Sequence, residues 1–278
     1  MTARIAFQGE LGAYGHQACA EARPTMEPLP CATFEDAIEA VRKGEAELGM
    51  IGVENSTYGR VADVHQLLPD SGLHIVDEAF VRVHINVLGI KGARLADLKR
   101  VRSMGILLGQ ARGFIREHGL STLSWSDNAA AARDVAALGD PSEGALASEI
   151  AADIYGLKVL ARHIEDHDRN TTRFLIMARE PDYKRRGKSG MMTSIVFRVR
   201  NIPAALYKAM GGFATNGVNM TKLESYQIGG KFIATQFYAD IEGHPDDPPV
   251  ARALEELDYF TTNLDILGVY PADPRLHA

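Results

Sequence analysis

Two short polar segments carry side chains suited to gripping a small anionic molecule. Glu54-Asn55-Ser56-Thr57 follows the apolar run Leu48–Val53, and Asn170-Thr171-Thr172-Arg173 precedes the apolar run Phe174–Ala178. A polar cluster just beyond the end of a buried strand is the usual ligand position in an open α/β sheet. The second segment offers an amide, two hydroxyls and a guanidinium in four consecutive residues. A guanidinium suits bidentate carboxylate recognition, and hydroxyls suit polarising a second oxygen. A capped turn beside a surface ion pair would use the same residue types, so the side-chain chemistry by itself leaves both readings open.

Other candidates are weaker. The chain has no G-x-G-x-x-G opening a helix, no G-x-x-x-x-G-K-[ST] and no G-x-S-x-G, the signatures of dinucleotide, nucleotide and hydrolase sites. Gly9-Glu10-Leu11-Gly12 lies between an expected strand and helix; its amides could hold an anion, or form a plain tight turn. His163 and His167 are four apart among Glu165, Asp166 and Asp168, but that spacing shares a face only on a helix. This stretch reads as a polar loop, and no metal is expected.

The elements positioning these groups follow from composition and period. The chain has 278 residues, 46% hydrophobic and 24% charged, with 36 acidic against 30 basic. Such a composition excludes wholesale disorder and disulfide-rich or collagen-like scaffolds, and its length suggests about two domains. The formal charge of −6 offers no broad basic surface, so nucleic acid is not an expected partner. No apolar run approaches the roughly 18 residues of a membrane span, and Arg4 and Glu10 bracket a stretch too short for a signal peptide. Cys19 and Cys31 are expected as free thiols in a reducing cytoplasm.

Residues 4–180 alternate strand-like and helical patterns, an α/β architecture. Expected strands are Arg4–Gln8, Leu48–Val53, Leu73–Val81, Ile85–Ile90, Lys158–Ala161 and Phe174–Ala178. Helices are expected from Tyr14, from Thr33 with Asp36 as a capping box, over Asn128–Ala137 and over Glu149–Tyr155. Residues 181–191 read as a basic, solvated linker. Beyond it, Thr193–Arg200 alternates, with Ile195, Phe197 and Val199 on one face. Pro203 reads as the first residue of a helix carrying Leu206, Met210 and Phe213. Strands Asn219–Ile228 and Lys231–Ile241 flank Gly229-Gly230, a hairpin signal. A helix over 250–258 and a strand Leu264–Val269 complete a ferredoxin-like βαββαβ module.

Glu54-Asn55-Ser56-Thr57-x-Gly59, Asn170-x-Thr172-Arg173-Phe174 and Leu223-Glu224-Ser225 resemble, in this order, the motifs of prephenate dehydratases. The resemblance covers nearly the whole chain. It implies a catalytic domain over 1–180, built as two lobes like a periplasmic binding protein, with crossing segments near 78–84 and 166–174. An ACT regulatory domain would follow over 192–278. With no chorismate-mutase domain before residue 4, a monofunctional enzyme is expected. The implied reaction is cofactor-free: prephenate loses its ring carboxylate and 4-hydroxyl together, and aromatisation drives the loss.

The resemblance also implies roles. Thr172 would polarise the leaving hydroxyl, and Arg173 would anchor the pyruvyl carboxylate. Asn55 and Ser56 would orient the substrate, with Glu54 fixing the loop, Thr171 beside it and Phe174 on the apolar wall. The family segment Ser-His-x-Gln-Ala-Leu-x-Gln-Cys is matched by Ser103, Leu108 and Gln110, whereas Met104, Ile106 and Ala111 depart from it. Substrate contacts are thus expected from Ser103 and Gln110. In the ACT domain the implied effector is phenylalanine, held by a Gly-Ala-Leu turn and a Glu-Ser-Arg-Pro segment. Here Ala205-Leu206 and Glu224-Ser225 match, while the turn glycine and the Arg-Pro do not, and Asn219 is expected to join them in holding the effector. Pairing of ACT domains implies a homodimer or homotetramer. The alternatives are arogenate as substrate, and a non-catalytic amino-acid sensor.

Overall fold

The computed structural model describes residues 2–188, 190–227 and 234–277. The chain opens with β1 (Arg4–Gln8), α1 (Tyr14–Ala22), β2 (Glu27–Cys31), α2 (Phe34–Arg42), β3 (Leu48–Asn55) and β4 (Gly59–Arg60). Then come α3 (Ala62–Leu67), β5 (His74–Arg82), β6 (Asn86–Gly89), β7 (Arg100–Ser103), α4 (Gly105–Gln110) and α5 (Arg112–Glu117). The middle runs β8 (Ser121–Ser124), α6 (Asn128–Leu138), β9 (Glu143–Ala147), α7 (Glu149–Tyr155), β10 (Lys158–Ala161) and β11 (Thr171–Ala178). The last part is β12 (Met191–Val199), α8 (Ala205–Thr215), β13 (Met220–Gln227), β14 (Ala234–Glu242), α9 (Pro248–Phe260) and β15 (Thr261–Pro271). Two compact units result, 1–61 with 79–174, and 62–78 with 175–278.

The first unit contains two α/β lobes. In one, β11, β3, β1 and β2 are successive neighbours, with β4 hairpinned onto β3. β1 pairs parallel with β2 and β3, which makes Leu48–Asn55 a buried strand ending in polar residues. The Thr33–Asp36 capping box opens α2 as expected, a reciprocal pair of bonds worth about 1 kcal/mol. β2 was not legible in the sequence, because Pro28 and Pro30 argue against a strand. It sits at the sheet edge, where a missing N–H leaves no ladder bond unmade. The second lobe is a five-stranded sheet ordered β10-β6-β9-β7-β8. Its core joins Val87, Val101 and Leu146 to Leu107 and Ile115 of α4 and α5.

In the second unit β13, β14, β12 and β15 are neighbours in that order, the ferredoxin-like arrangement. Ile195, Phe197 and Val199 pack with Phe237, Ala239 and Ile241 against Ala209 and Phe213 of α8 and Ala253 and Leu257 of α9. The opposite face carries Ser194, Tyr238, Asp240 and Tyr270, hydrogen-bonded together. Here α3 contributes His65, 5.4 Å edge-on from the Tyr238 ring. The expected Gly229-Gly230 turn lies outside the described residues.

Two local expectations are corrected. Pro203 does not begin the helix: α8 starts at Ala205, after Ala204 at φ 61°, because a left-handed residue there turns the chain. The strand expected from Phe174 begins at Thr171, because Thr171 C=O accepts from Ser56 N at 2.8 Å and draws the polar tripeptide into the sheet. The His163–His167 stretch is a loop. Both cysteines are free thiols.

Candidate active site

Asn55, the last residue of β3, is the hub of a polar cluster in the first unit. Its Oδ1 accepts from Thr57 N (3.0 Å), Thr57 Oγ1 (2.8 Å) and Tyr58 N (3.0 Å), a tight Asx turn. Its Nδ2 donates to Asn170 Oδ1 at 2.7 Å and to Thr172 Oγ1 at 3.1 Å. With acceptor and donor ends engaged on different partners, the amide has one favourable orientation. Asn170, 1% exposed, passes the network on by donating to Gln110 Oε1 at 3.1 Å. Gln110 Nε2 closes it by donating to Thr57 Oγ1 at 2.6 Å and to Asn55 Oδ1 at 3.3 Å.

Gln110 reaches this point because its helix breaks after it. Asp166 N donates to Gln110 C=O at 2.7 Å. The Asp166 carboxylate accepts from Arg112 N and Gly113 N, both at 3.0 Å, and so caps α5. A Cβ on Gly113 would stand 2.7 Å from Asp166 Oδ1, so only glycine admits this cap. Ser56 joins the two motif segments: its Oγ donates to Arg169 C=O at 2.6 Å and accepts from Thr171 N at 3.0 Å.

The structure brings together Asn55, Thr172 and Gln110, and adds Thr57 and Asn170. Those two stood inside the quoted motifs, but nothing in their types marked them as bridges. Consecutive strand side chains point to opposite faces, so Arg173 diverges from Thr172. Its guanidinium is 4% exposed, bonded to Glu54 Oε1 at 3.1 Å and 5.9 Å over the Phe80 ring. The expected carboxylate anchor is thus turned into an ion pair of its own. Ser103 is also elsewhere: it is fully buried, with Oγ donating to Leu146 C=O at 2.7 Å. Phe174 is 5% exposed and packs on Gly52, where a Cβ would meet the ring at 3.2 Å.

Burial sets the ionisation of the neighbourhood. The Tyr14 phenol is pushed up by burial and by Glu165; it stays a neutral donor to His84 C=O at 2.9 Å. Glu165 also holds His84 Nδ1 and Ile85 N, both at 2.9 Å, and His84 stacks on His163 with centroids 4.0 Å apart. Gly12 N is engaged by His16 Nδ1 at 3.0 Å and Gly12 O by Ser148 Oγ at 2.5 Å. Burial pushes the Cys19 thiol up to about 12 and also raises Cys31. No group of three or more His, Cys, Asp or Glu is placed to hold a metal among the described residues. No helix among them is long and apolar enough to cross a membrane.

In the second unit the candidate effector residues do not form one cluster. Ala205 and Leu206 pack on the helix-covered face with the Ile195–Phe197 core. Glu224 stands opposite Tyr238, on the face that α3 meets, 3.6 Å from Lys222. Ser225 is on the other face and exposed. Asn219 C=O accepts from Glu242 N at 2.9 Å.

Residues 5–182 match the family model described as prephenate dehydratase. A relative from Komagataeibacter europaeus, a bifunctional N-acyl-homoserine lactone acylase/prephenate dehydratase, is 52% identical over 97% of this chain and 96% of its own. An arogenate dehydratase/prephenate dehydratase from Arabidopsis thaliana is 37% identical over 98% of this chain and 74% of its own. A solved prephenate dehydratase from Arthrobacter aurescens in complex with L-Phe superposes with a TM-score of 0.89. It is 29% identical and covers 97% of this chain and 90% of that one.

Proposed function

The chain belongs to the prephenate dehydratase family, and we propose that Asn55 and Thr172 help the ring hydroxyl leave as prephenate becomes phenylpyruvate, carbon dioxide and water. One observation carries this reading: Asn55 Nδ2 donates into Thr172 Oγ1. The bond occupies a lone pair of the hydroxyl and leaves its hydrogen to point away from Asn55. A hydroxyl that already accepts a bond is a stronger donor, which compensates for threonine being a poor acid. The hydrogen bond strengthens as negative charge develops on the departing oxygen, so it favours the transition state over the ground state. Aromatisation supplies the driving force, and the step needs no electron sink.

Gln110, Thr57 and Asn170 act on Asn55 and are positioning residues in this reading. Arg173 and Glu54 lock β11 against the end of β3 and keep Thr172 in register. Ser56 ties the two motif loops together, with Thr171 as its partner. Ser103 supports the lobe from within. The dehydratase half of the Komagataeibacter relative's name is the half this site supports. Burial disfavours the thiolates of Cys19 and Cys31.

We read 1–180 as the catalytic domain, 181–191 as a linker and 192–278 as an ACT domain that binds phenylalanine for feedback inhibition. The strand order supports this, and so does Ala204, left-handed where the family's turn has glycine. The Arthrobacter neighbour holds L-Phe. The reading includes pairing of chains through these domains and a cytoplasmic location. Purified protein incubated with prephenate, and separately with arogenate, tests the function by appearance of phenylpyruvate or phenylalanine. Thr172→Ala is expected to abolish turnover with substrate binding kept, and Thr172→Ser to retain turnover. Full activity of Thr172→Ala would overturn the assignment.

A further inference from the structure

The effector segment and the active-site loop meet the two ends of one short stretch of chain with a buried histidine near its end. After Tyr58 the chain is tied to β3 by the register Asn55↔Gly59 and Glu54↔Arg60 and by Val61 N donating to Val53 C=O at 2.9 Å. It then passes into the second unit between Val61 and Ala62 and forms α3. His65 of α3 is 1% exposed. Its ring lies 5.4 Å from Tyr238 and 6.0 Å from Tyr226. These tyrosines, 1% and 7% exposed, flank Glu224. Tyr226 follows it by two residues on the same face of β13, and Tyr238 is its direct partner on β14. Tyr238 is itself held, its OH donating to Ser194 Oγ at 3.1 Å, and Ser194 Oγ donating to Asp240 Oδ1 at 2.5 Å.

Rings at this packing density do not move independently. A shift of the Glu224-Ser225 backbone would move Tyr226, whose ring lies 6.0 Å from that of His65. α3 begins at Ala62, directly after Val61, whose N–H is held by Val53 C=O. We propose that His65 is a positioning residue that conveys the state of the Glu224-Ser225 segment to the Asn55–Tyr58 turn. An amino acid bound at the former then alters turnover through the orientation of Asn55. The inference rests on the reading of residues 224–225 as part of a phenylalanine site.

The test uses the full chain with L-phenylalanine as probe, and reads binding by calorimetry separately from prephenate turnover. In the unmodified protein phenylalanine binds and lowers kcat/KM by a factor on the order of 5–150, the usual range of coupling between sites. His65→Ala and the bulkier His65→Leu keep phenylalanine binding and uninhibited turnover but lose most of that factor. His65→Phe, which retains an aromatic ring, keeps it. Variants that bind phenylalanine and respond as the unmodified protein does overturn the inference. So does unmodified protein in which phenylalanine changes amide hydrogen exchange at 224–227 and at 54–58 but not at 62–67, a result that needs no variant to fold. Absence of phenylalanine binding to the unmodified protein is a separate failure: it removes the effector reading, and this inference with it.

Discussion

Replacing Asn55 by Asp tests the direction of the hydrogen bond on which the catalytic assignment depends. The side chains are nearly isosteric, and the four bonds accepted by Asn55 Oδ1, from Thr57 N, Thr57 Oγ1, Tyr58 N and Gln110 Nε2, survive. What is lost is the donor that reaches Thr172 Oγ1 at 3.1 Å and Asn170 Oδ1 at 2.7 Å. A carboxylate oxygen in its place is an acceptor, so the Thr172 hydroxyl turns its hydrogen inward. A hydrogen bond to a charged group is worth about 1.5–3 kcal/mol. Chemistry must undo that before Thr172 can serve the leaving hydroxyl. At 1.36 kcal/mol per factor of ten, kcat falls about 10- to 150-fold. KM should change little, because no atom facing substrate has been removed. The Asn170 carbonyl now faces another acceptor, and an uncompensated buried group costs about 1–3 kcal/mol, visible as a lowered Tm. Steady-state prephenate consumption and a thermal melt provide the readouts. A variant with wild-type kcat and a lowered Tm would refute the argument, since the network would then be structural only.

Other outcomes follow from single contacts. Ser103→Ala leaves Leu146 C=O without its 2.7 Å donor and is expected to cost about 1–3 kcal/mol of stability; titration with urea and activity assays should show kcat unchanged. Ala204→Gly relieves a left-handed alanine at φ 61°, a gain of about 1 kcal/mol, read as a Tm rise of roughly 2–4 °C. Burial alone would raise the Glu143 carboxyl, but hydrogen bonds from Arg100 and Arg102 hold it below the ordinary glutamate range. A depressed folded-state pKa contributes stability that is present above the unfolded value, about 4.3, and is lost as pH falls through the folded one. Glu143→Gln should flatten that acid limb in urea titrations at successive pH values, and an unchanged limb would exclude Glu143 as its source. Gly113→Ala is expected to displace Asp166, loosen the α4–α5 break and reduce kcat by moving Gln110, with substrate binding less affected.

Much of the architecture was present in local order. Strand alternation at Ile195, Phe197 and Val199, the Thr33–Asp36 capping box and the Glu149–Tyr155 helix all rest on contacts between near neighbours. β2, with its two prolines, and the short strands β7, β8 and β9 were not legible. Their pairing is decided by partners far along the chain, and an edge position overrides propensity.

The residues of the site show the same division. Sequence alone pointed to the family through three motifs in order, and so to the reaction class; Asn55 and Thr172 stand in those motifs, and Gln110 in a fourth, partly matched segment. It could not say which neighbours in a motif act together. Thr172 and Arg173 are adjacent in the chain, yet strand geometry sends one to Asn55 and the other to Glu54. Ser103 matches the family and lies buried against Leu146, while Asn170 and Gln110, 60 residues apart, share a hydrogen bond. Side-chain direction depends on a strand's phase and on the partners that distant chain segments bring to it, and only the folded chain fixes both.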